Sequence, residues 1–401
     1  MECGGSASAF GFTLFESGGV ASALHMTVWN DEQRSEHLAH TTWMANTTVL
    51  MHLNERATGD PARDWLSSWA HRWFVGNDLR VLVLGCGEGW LERAVAQWPF
   101  VTHIDAVDFA EHAVARAREA ARGIEKITYG VVDLNRDELP LDAYDVVLAH
   151  SVLHHVENLE HAYAQIERTM RANATLIVNE YVGPRRFQFS DDVLSIINAL
   201  LACIGHEPKA RPTVEEMIAN DPTEAVRSDE LLELTSRYFE VLERKDIGGT
   251  ILQHLLFNVV QHFRFDVPRE RAILEILCTI EAMLVDSGRV PCDYVILAAR
   301  KRGSRVTRAK RALPPRAEGA QDVERDPLWS AQATPALSKA EALPPHSKAR
   351  LIRLALLAKQ TKRANLYRES RIAAAIPRRT KPHDDPRIEC LLRTAAKLAN
   401  E

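Results

Sequence analysis

Residues 79–89 read Leu-Arg-Val-Leu-Val-Leu-Gly-Cys-Gly-Glu-Gly, an apolar run closed by three glycines in five positions. Such a run reads as a buried strand, and the glycines as the turn that leads from it into the helical stretch WLERAVAQW at 90–98. At a turn of this kind a missing Cβ lets a ligand come close to the main chain, and positive φ costs little. The spacing narrows the ligand. A dinucleotide fingerprint needs a third glycine where Trp90 stands, so a pyrophosphate site is disfavoured.

Outward from this turn the pattern alternates. THIDAVD (102–108), KITYGVVD (126–133), YDVVLAH (144–150) and ATLIVNEYV (174–182) read as strands, and AEHAVARAREAA (110–121) and NLEHAYAQIERTMR (158–171) as helices. Five strands with helices between them predict an α/β, doubly wound parallel sheet, with ligands at the carboxyl ends of its strands. Two more strands, YFEVLERKD (238–246) and CDYVILAARK (292–301), follow after long helical inserts. Ahead of the sheet, residues 31–75 read as helices. Asp60 and Pro61 suit an N-cap and first helical position, and Trp65, Trp69 and Trp73 form a core-facing stripe.

Two acids stand where an adenosine could use them. Asp108 ends strand two, where a carboxylate can accept both ribose hydroxyls, and Asp133 ends strand three, where it can receive an adenine amino group. Either alone could equally cap a turn; the glycine turn and both acids in register are the stronger signal.

The motifs VLVLGCGEGW, VDFAEHAVARAR and GVVDLNRDELPLDAYDVVLAHSVLHHVEN resemble those of the class I S-adenosylmethionine-dependent methyltransferases, and the resemblance extends over roughly residues 30–301. It implies a Rossmann-like, seven-stranded sheet with an antiparallel last strand, a place that DYVILAARK suits. It also implies S-adenosyl-L-methionine as cofactor, with Gly85, Cys86 and Gly87 at the methionine moiety, Asp108 at the ribose and Asp133 at adenine. Phe109 and Leu134 would flank the adenosine, and His150 would border the site. HLNERATGDPARDWL and NEYVGPRRFQF resemble a bacterial subgroup of small-molecule or glycan methyltransferases.

Methyl transfer to oxygen needs a nucleophile aligned with the sulfonium, exclusion of water and removal of a proton; it does not in principle need a metal, and none is expected. His150, His154 and His155, at and beyond the end of strand four, are the base candidates, although LHHV is widespread in the family and can serve to orient the loop. Glu180 is the next candidate, its alternative being a carboxylate that caps or pairs with Arg185 or Arg186. In the insert 183–237, expected as a lid, DPTEAVRS (221–228) reads as a helix start capped by Asp221, with Arg227 a weaker substrate contact. His254 reads as a core histidine or a pocket residue.

Composition bounds the rest. The chain has 401 residues, 46% hydrophobic and 26% charged, which excludes a wholly disordered chain. No apolar run approaches a membrane span and no basic leader stands at the start, so a cytoplasmic protein is expected. The six cysteines are scattered without a CxxC pair, so reduced thiols are expected. The net charge of -5 hides an asymmetry: residues 301–401 hold 23 basic and 10 acidic side chains, leaving residues 1–300 strongly acidic. An acidic catalytic region argues against a nucleic-acid track, and no NPPY-like segment follows strand four, so no DNA partner is expected.

The domain reading is a flexible N-terminus (1–30), a methyltransferase domain (31–301), a linker (302–345) and a basic helical tail (346–401). The domain divides into a helical cap (31–75), cofactor core (76–182), lid (183–237) and closing elements (238–301). The tail is expected to be partly disordered, and its stretch 346–376 could lie on a membrane surface, dock on a protein, contact RNA, fold back on the acidic core, or stay solvated. The function expected is methyl transfer to a small-molecule or glycan acceptor, at oxygen, with a quinone or lipid-like acceptor or a non-catalytic cofactor-binding scaffold as alternatives.

Overall fold

The computed structural model describes residues 42–303 and 385–398. Strands β1 (Leu79–Leu84), β2 (Val101–Asp108), β3 (Ile127–Val131), β4 (Tyr144–His150), β5 (Met170–Tyr181), β6 (Phe239–Gly248) and β7 (Tyr294–Lys301) form one sheet. Their order is β3-β2-β1-β4-β5-β7-β6, parallel except for β7, which runs antiparallel to both neighbours. This is the architecture the sequence predicts. The strand order reverses between β1 and β4, so the crevice at the carboxyl ends of these two strands is the natural ligand site.

The central strands are buried on both faces, which explains why β1 and β4 are apolar at most positions, whereas the edge strand β6 is largely exposed and polar. Along β1, Leu79, Val81 and Val83 point into one apolar cluster while Leu82 and Leu84 point into the other. The second cluster is closed by α5 (Leu159–Thr169) and α8 (Leu231–Tyr238). The first takes in α1 (Thr47–Thr58), α2 (Trp65–Trp73), α3 (Trp90–Val95) and α4 (Glu111–Ala120), then α6 (Asp191–Cys203), α9 (Leu252–Leu256) and α10 (Pro268–Asp286). Helix α7 (Val214–Asn220) lies in the insert and begins with a reciprocal cap between Thr213 and Glu216.

Helix α1 is capped by Asn46, which accepts the Thr48 N–H, and stops at Gly59, whose φ of 83° only glycine adopts readily. The following helix does not start at Asp60. Residues 60–63 close a turn instead, with Asp60 accepting the Ala62 N–H, and Asp64 caps α2 by accepting from Ser67. Trp65, Trp69 and Trp73 are buried on the face of α2 that meets the first cluster, as the four-residue spacing predicts. The reading of DPTEAVRS as a helix start also fails. Asp221 accepts both the N–H and the hydroxyl of Thr223 in a local turn, and no α-helix resumes before Leu231.

The cysteine expectation needs correction for one pair. Cys203, at the end of α6, is disulfide-bonded to Cys390 on helix α11 (Pro386–Leu398), 187 positions away, with a Cα separation of 5.2 Å. Such a pair is invisible to a reading of local spacing. Ile388, Leu391, Ala395 and Leu398 form the buried face of α11, which packs against α6 and α10 and completes the first cluster. The N-terminal segment 1–30, nearly all of the 302–345 linker and the tail stretch 346–376 lie outside the described residues. Among the described residues, no helix is long and apolar enough to cross a membrane.

Candidate active site

At the carboxyl ends of β1, β2 and β4 the chain leaves a cavity of about 170 Å³. Gly85, Gly87, Asp108, Phe109, Asp133 and Leu134 line one side, and Ser151, Val152, His155 and Thr223 are also part of its wall. Gly85 has φ +66°, and a Cβ there would fall 2.4 Å from the Cβ of Val152. The loop after β4 therefore rests directly on the glycine turn. Above Gly87 nothing lies within 4 Å of where a Cβ would be. Asp108 ties the turn to β2: one oxygen accepts the Gly87 N–H and the other the Ala110 N–H, both at 2.9 Å.

These residues fit an adenosyl cofactor. The open space over the Gly87 backbone, the Asp108 carboxylate and the apolar pair Phe109 and Leu134 supply what a ribose and a flat base require. Asp133 also borders the cavity, two residues beyond the end of β3. Its Oδ1 accepts the backbone and side-chain N–H groups of Asn135 at 2.9 Å, and its Oδ2 lies 3.3 Å from the Arg136 guanidinium. Cys86 and His150 stand apart from the wall. The Cys86 thiol is buried, which pushes its pKa up. His150 is also buried, with the rings of Trp65 and Trp90 each 5.4 Å from its own. Burial lowers its pKa to about 4, so it is neutral at pH 7.

Glu180 occupies the centre of the arrangement. It is fully buried at the end of β5; Oε1 accepts the Val152 and Leu153 N–H groups at 2.6 and 2.7 Å, and Oε2 lies 2.6 Å from His154 Nδ1. One carboxylate thus gathers three donors from the loop after β4. Neither anticipated arginine pairs with it: Arg185 binds Asp229 and Glu230, and Arg186 donates to the Asp221 and Glu224 carbonyls. Burial pulls the His154 pKa down, but Glu180, with Glu224 and Asp221 beyond it, more than offsets this and leaves it raised. His154 Nε2 lies 3.5 Å from Glu224 Oε1, and His155 Nδ1 lies 3.1 Å from the Thr223 hydroxyl.

Two further residues lie away from the cavity. Arg227 makes a two-pronged ion pair with Glu160 and a second pair with Glu230. His254 is buried beside Phe187 and Phe189, its ring 4.2 Å from that of Phe189, as a core histidine would be. The sequence reading did not single out Ser151, Asn135 or Thr223. For Thr223 a signal was present, because Asp-x-Thr suits an aspartate-led turn as well as a helix cap.

Comparison with known proteins agrees with this geometry. The family described as "Methyltransferase domain" matches residues 82–178. A malonyl-[acyl-carrier protein] O-methyltransferase of Bacillus cereus is 27% identical over 127 residues, 32% of this chain and 46% of that protein. A ubiquinone biosynthesis O-methyltransferase of Rickettsia conorii is 32% identical over 103 residues, 25% of this chain and 34% of that protein. The matches span less than half the length of these curated relatives. Among solved structures, an S-adenosylmethionine dependent methyltransferase from Mesorhizobium loti is 19% identical with a TM-score of 0.37, covering 59% of this chain and 97% of that one. Residues 82–178 thus match a methyltransferase domain, and the glycine turn, the acid at the end of β2 and the β3-β2-β1-β4-β5-β7-β6 sheet have the form that the resemblance to class I S-adenosylmethionine-dependent methyltransferases implies.

Proposed function

We propose that the protein transfers a methyl group from S-adenosyl-L-methionine to an oxygen atom of a small-molecule or glycan acceptor. The observation that carries this reading is the cavity walled by Gly85, Gly87, Asp108 and His155, with His154, held by Glu180, next to His155. The cofactor, when bound, supplies an activated methyl group on a sulfonium. The chain binds and orients: Asp108 holds the ribose hydroxyls, Phe109 and Leu134 enclose the base, and the β4 loop closes over the glycine turn and excludes water. With its Nδ1 proton directed at Glu180, His154 presents Nε2 as the group that takes the acceptor's proton, and His155 lines the cavity beside it. Two of the relatives are by name O-methyltransferases, which supports oxygen over nitrogen.

Calorimetric titration of S-adenosylhomocysteine into wild type and Asp108→Ala tests the cofactor half. Binding that weakens ten-fold or more in the variant is expected; no binding by folded wild type at millimolar ligand ends the proposal. A quinone or lipid-like acceptor is the second reading, favoured by the relation to the ubiquinone biosynthesis enzyme. Turnover of a hydrophobic quinol analogue in preference to soluble sugars and phenols would select it.

A further inference from the structure

The loop after β4 and the segment after α7 bring two imidazoles and a carboxylate into one cluster. Ligating atoms of His154, His155 and Glu224 all lie within 4.8 Å of one another, and the two imidazole centroids are 4.2 Å apart. A second, independent feature is the support behind them. The buried Glu180 carboxylate, 2.6 Å from His154 Nδ1, fixes the proton on that nitrogen and makes Nε2 the ligating atom. A carboxylate behind the imidazole is the usual partner of a metal-bound histidine, setting its tautomer and raising its basicity. The Thr223 hydroxyl, 3.1 Å from His155 Nδ1, orients the second ring in the same way.

We propose that His154, His155 and Glu224 bind one divalent transition-metal ion at the edge of the cofactor cavity. Two imidazole nitrogens and one carboxylate oxygen suit zinc, iron(II), cobalt or manganese better than magnesium or calcium, which prefer all-oxygen shells. Ligands of one tetrahedral ion at about 2.1 Å stand roughly 3.4 Å apart; His154 Nε2 and Glu224 Oε1 already stand 3.5 Å apart, and His155 has to close only the remainder of a separation under 4.8 Å. His155 and Thr223 both line the cavity, so the remaining coordination positions open onto it. An acceptor that carries adjacent oxygen donors, such as vicinal hydroxyls, is the class that would complete the shell. This goes beyond the methyl transfer proposed above, because ion binding needs neither cofactor nor turnover; an ion on His154 Nε2 occupies the lone pair that would take the acceptor's proton, so His154 acts as base only in the ion-free protein.

The test uses the full chain, stripped with a chelator and titrated with Zn²⁺ by calorimetry and with Co²⁺ by visible absorption. Wild type is expected to take one equivalent with micromolar or tighter affinity and a cobalt spectrum of mixed nitrogen and oxygen ligation. Glu224→Gln, on the rim and isosteric, and His155→Ala should each weaken binding at least ten-fold, and Glu180→Gln by about 10- to 100-fold through its support of His154. No saturable binding by folded wild type overturns the proposal, as does one equivalent whose affinity is the same in Glu224→Gln and His155→Ala. S-adenosylhomocysteine binding in the same samples keeps the two readings apart. Cofactor without metal ends this proposal and leaves the methyltransferase reading; metal without cofactor does the reverse.

Discussion

Replacing Glu180 by glutamine should loosen the active site by an amount the structure allows to be worked out. The carboxylate accepts three bonds of 2.6–2.7 Å from Val152, Leu153 and His154 and has no exposed surface. Glutamine keeps one oxygen for the two backbone N–H groups, but each bond falls from charge-assisted to neutral, a loss of about 1 kcal/mol apiece. Its amide nitrogen cannot accept from His154 Nδ1, which adds about 1–2 kcal/mol for a buried donor without an acceptor. The sum is roughly 3–4 kcal/mol, or a melting point lower by about 6–16 °C at 2–4 °C per kcal/mol for a domain of this size. Glu180→Ala should cost more, about 4–6 kcal/mol, because all three donors lose their acceptor. Since Val152 rests on Gly85, the same change should weaken S-adenosylhomocysteine binding although Glu180 does not line the cavity. Thermal melts and calorimetry on the two variants read both effects, and His154→Ala combined with Glu180→Gln should cost less than the sum of the singles. A Glu180→Gln protein that melts within 1 °C of wild type, as a rough threshold, with unchanged ligand affinity would show that the loop is organised by something else.

Three other perturbations check separate parts of the account. Gly85→Ala places a Cβ against Val152 at a positive φ and should cost about 2–4 kcal/mol and most of the cofactor affinity, with partial recovery in Gly85→Ala/Val152→Ala; an unperturbed single variant refutes the close approach. Cys390→Ser, or reduction of wild type, should lower stability by roughly 2–5 kcal/mol in matching thermal melts, and equal melts for oxidised and reduced wild type would refute the pairing with Cys203. Arg227→Ala removes surface ion pairs, so stability should change by about 1 kcal/mol or less and the acceptor KM should not move; a raised KM would return Arg227 to the substrate site.

What was legible in the sequence follows from the range over which each signal acts. The strand Leu79–Leu84 matches its reading residue for residue, because a strand buried on both faces is apolar at all but one position, Arg80, and its end is marked by glycine. Asp108 and the glycine turn were legible because both lie at strand ends that the alternation locates. Local capping misled twice, at Asp60 and at Asp221, because an aspartate followed by proline satisfies a turn as readily as a helix, and only the next turn of chain decides. The role of Glu180 was hidden for another reason: its partners are 26 to 28 positions away and two are backbone groups that leave no mark in the sequence. The Cys203–Cys390 pair is longer in range still.

The position of α11 in the chain has a consequence in time. The apolar surface it covers belongs to α6 and α10, which end at Cys203 and Asp286, whereas Leu391 and Ala395 come about 100 residues later. At roughly 5–20 residues per second, ribosomal synthesis leaves that surface facing water for about 5–20 s after α10 is made. During this interval the nascent chain carries an unfinished core. A chaperone that binds exposed apolar helices has its opportunity then, and the Cys203–Cys390 bond can form only after it has passed.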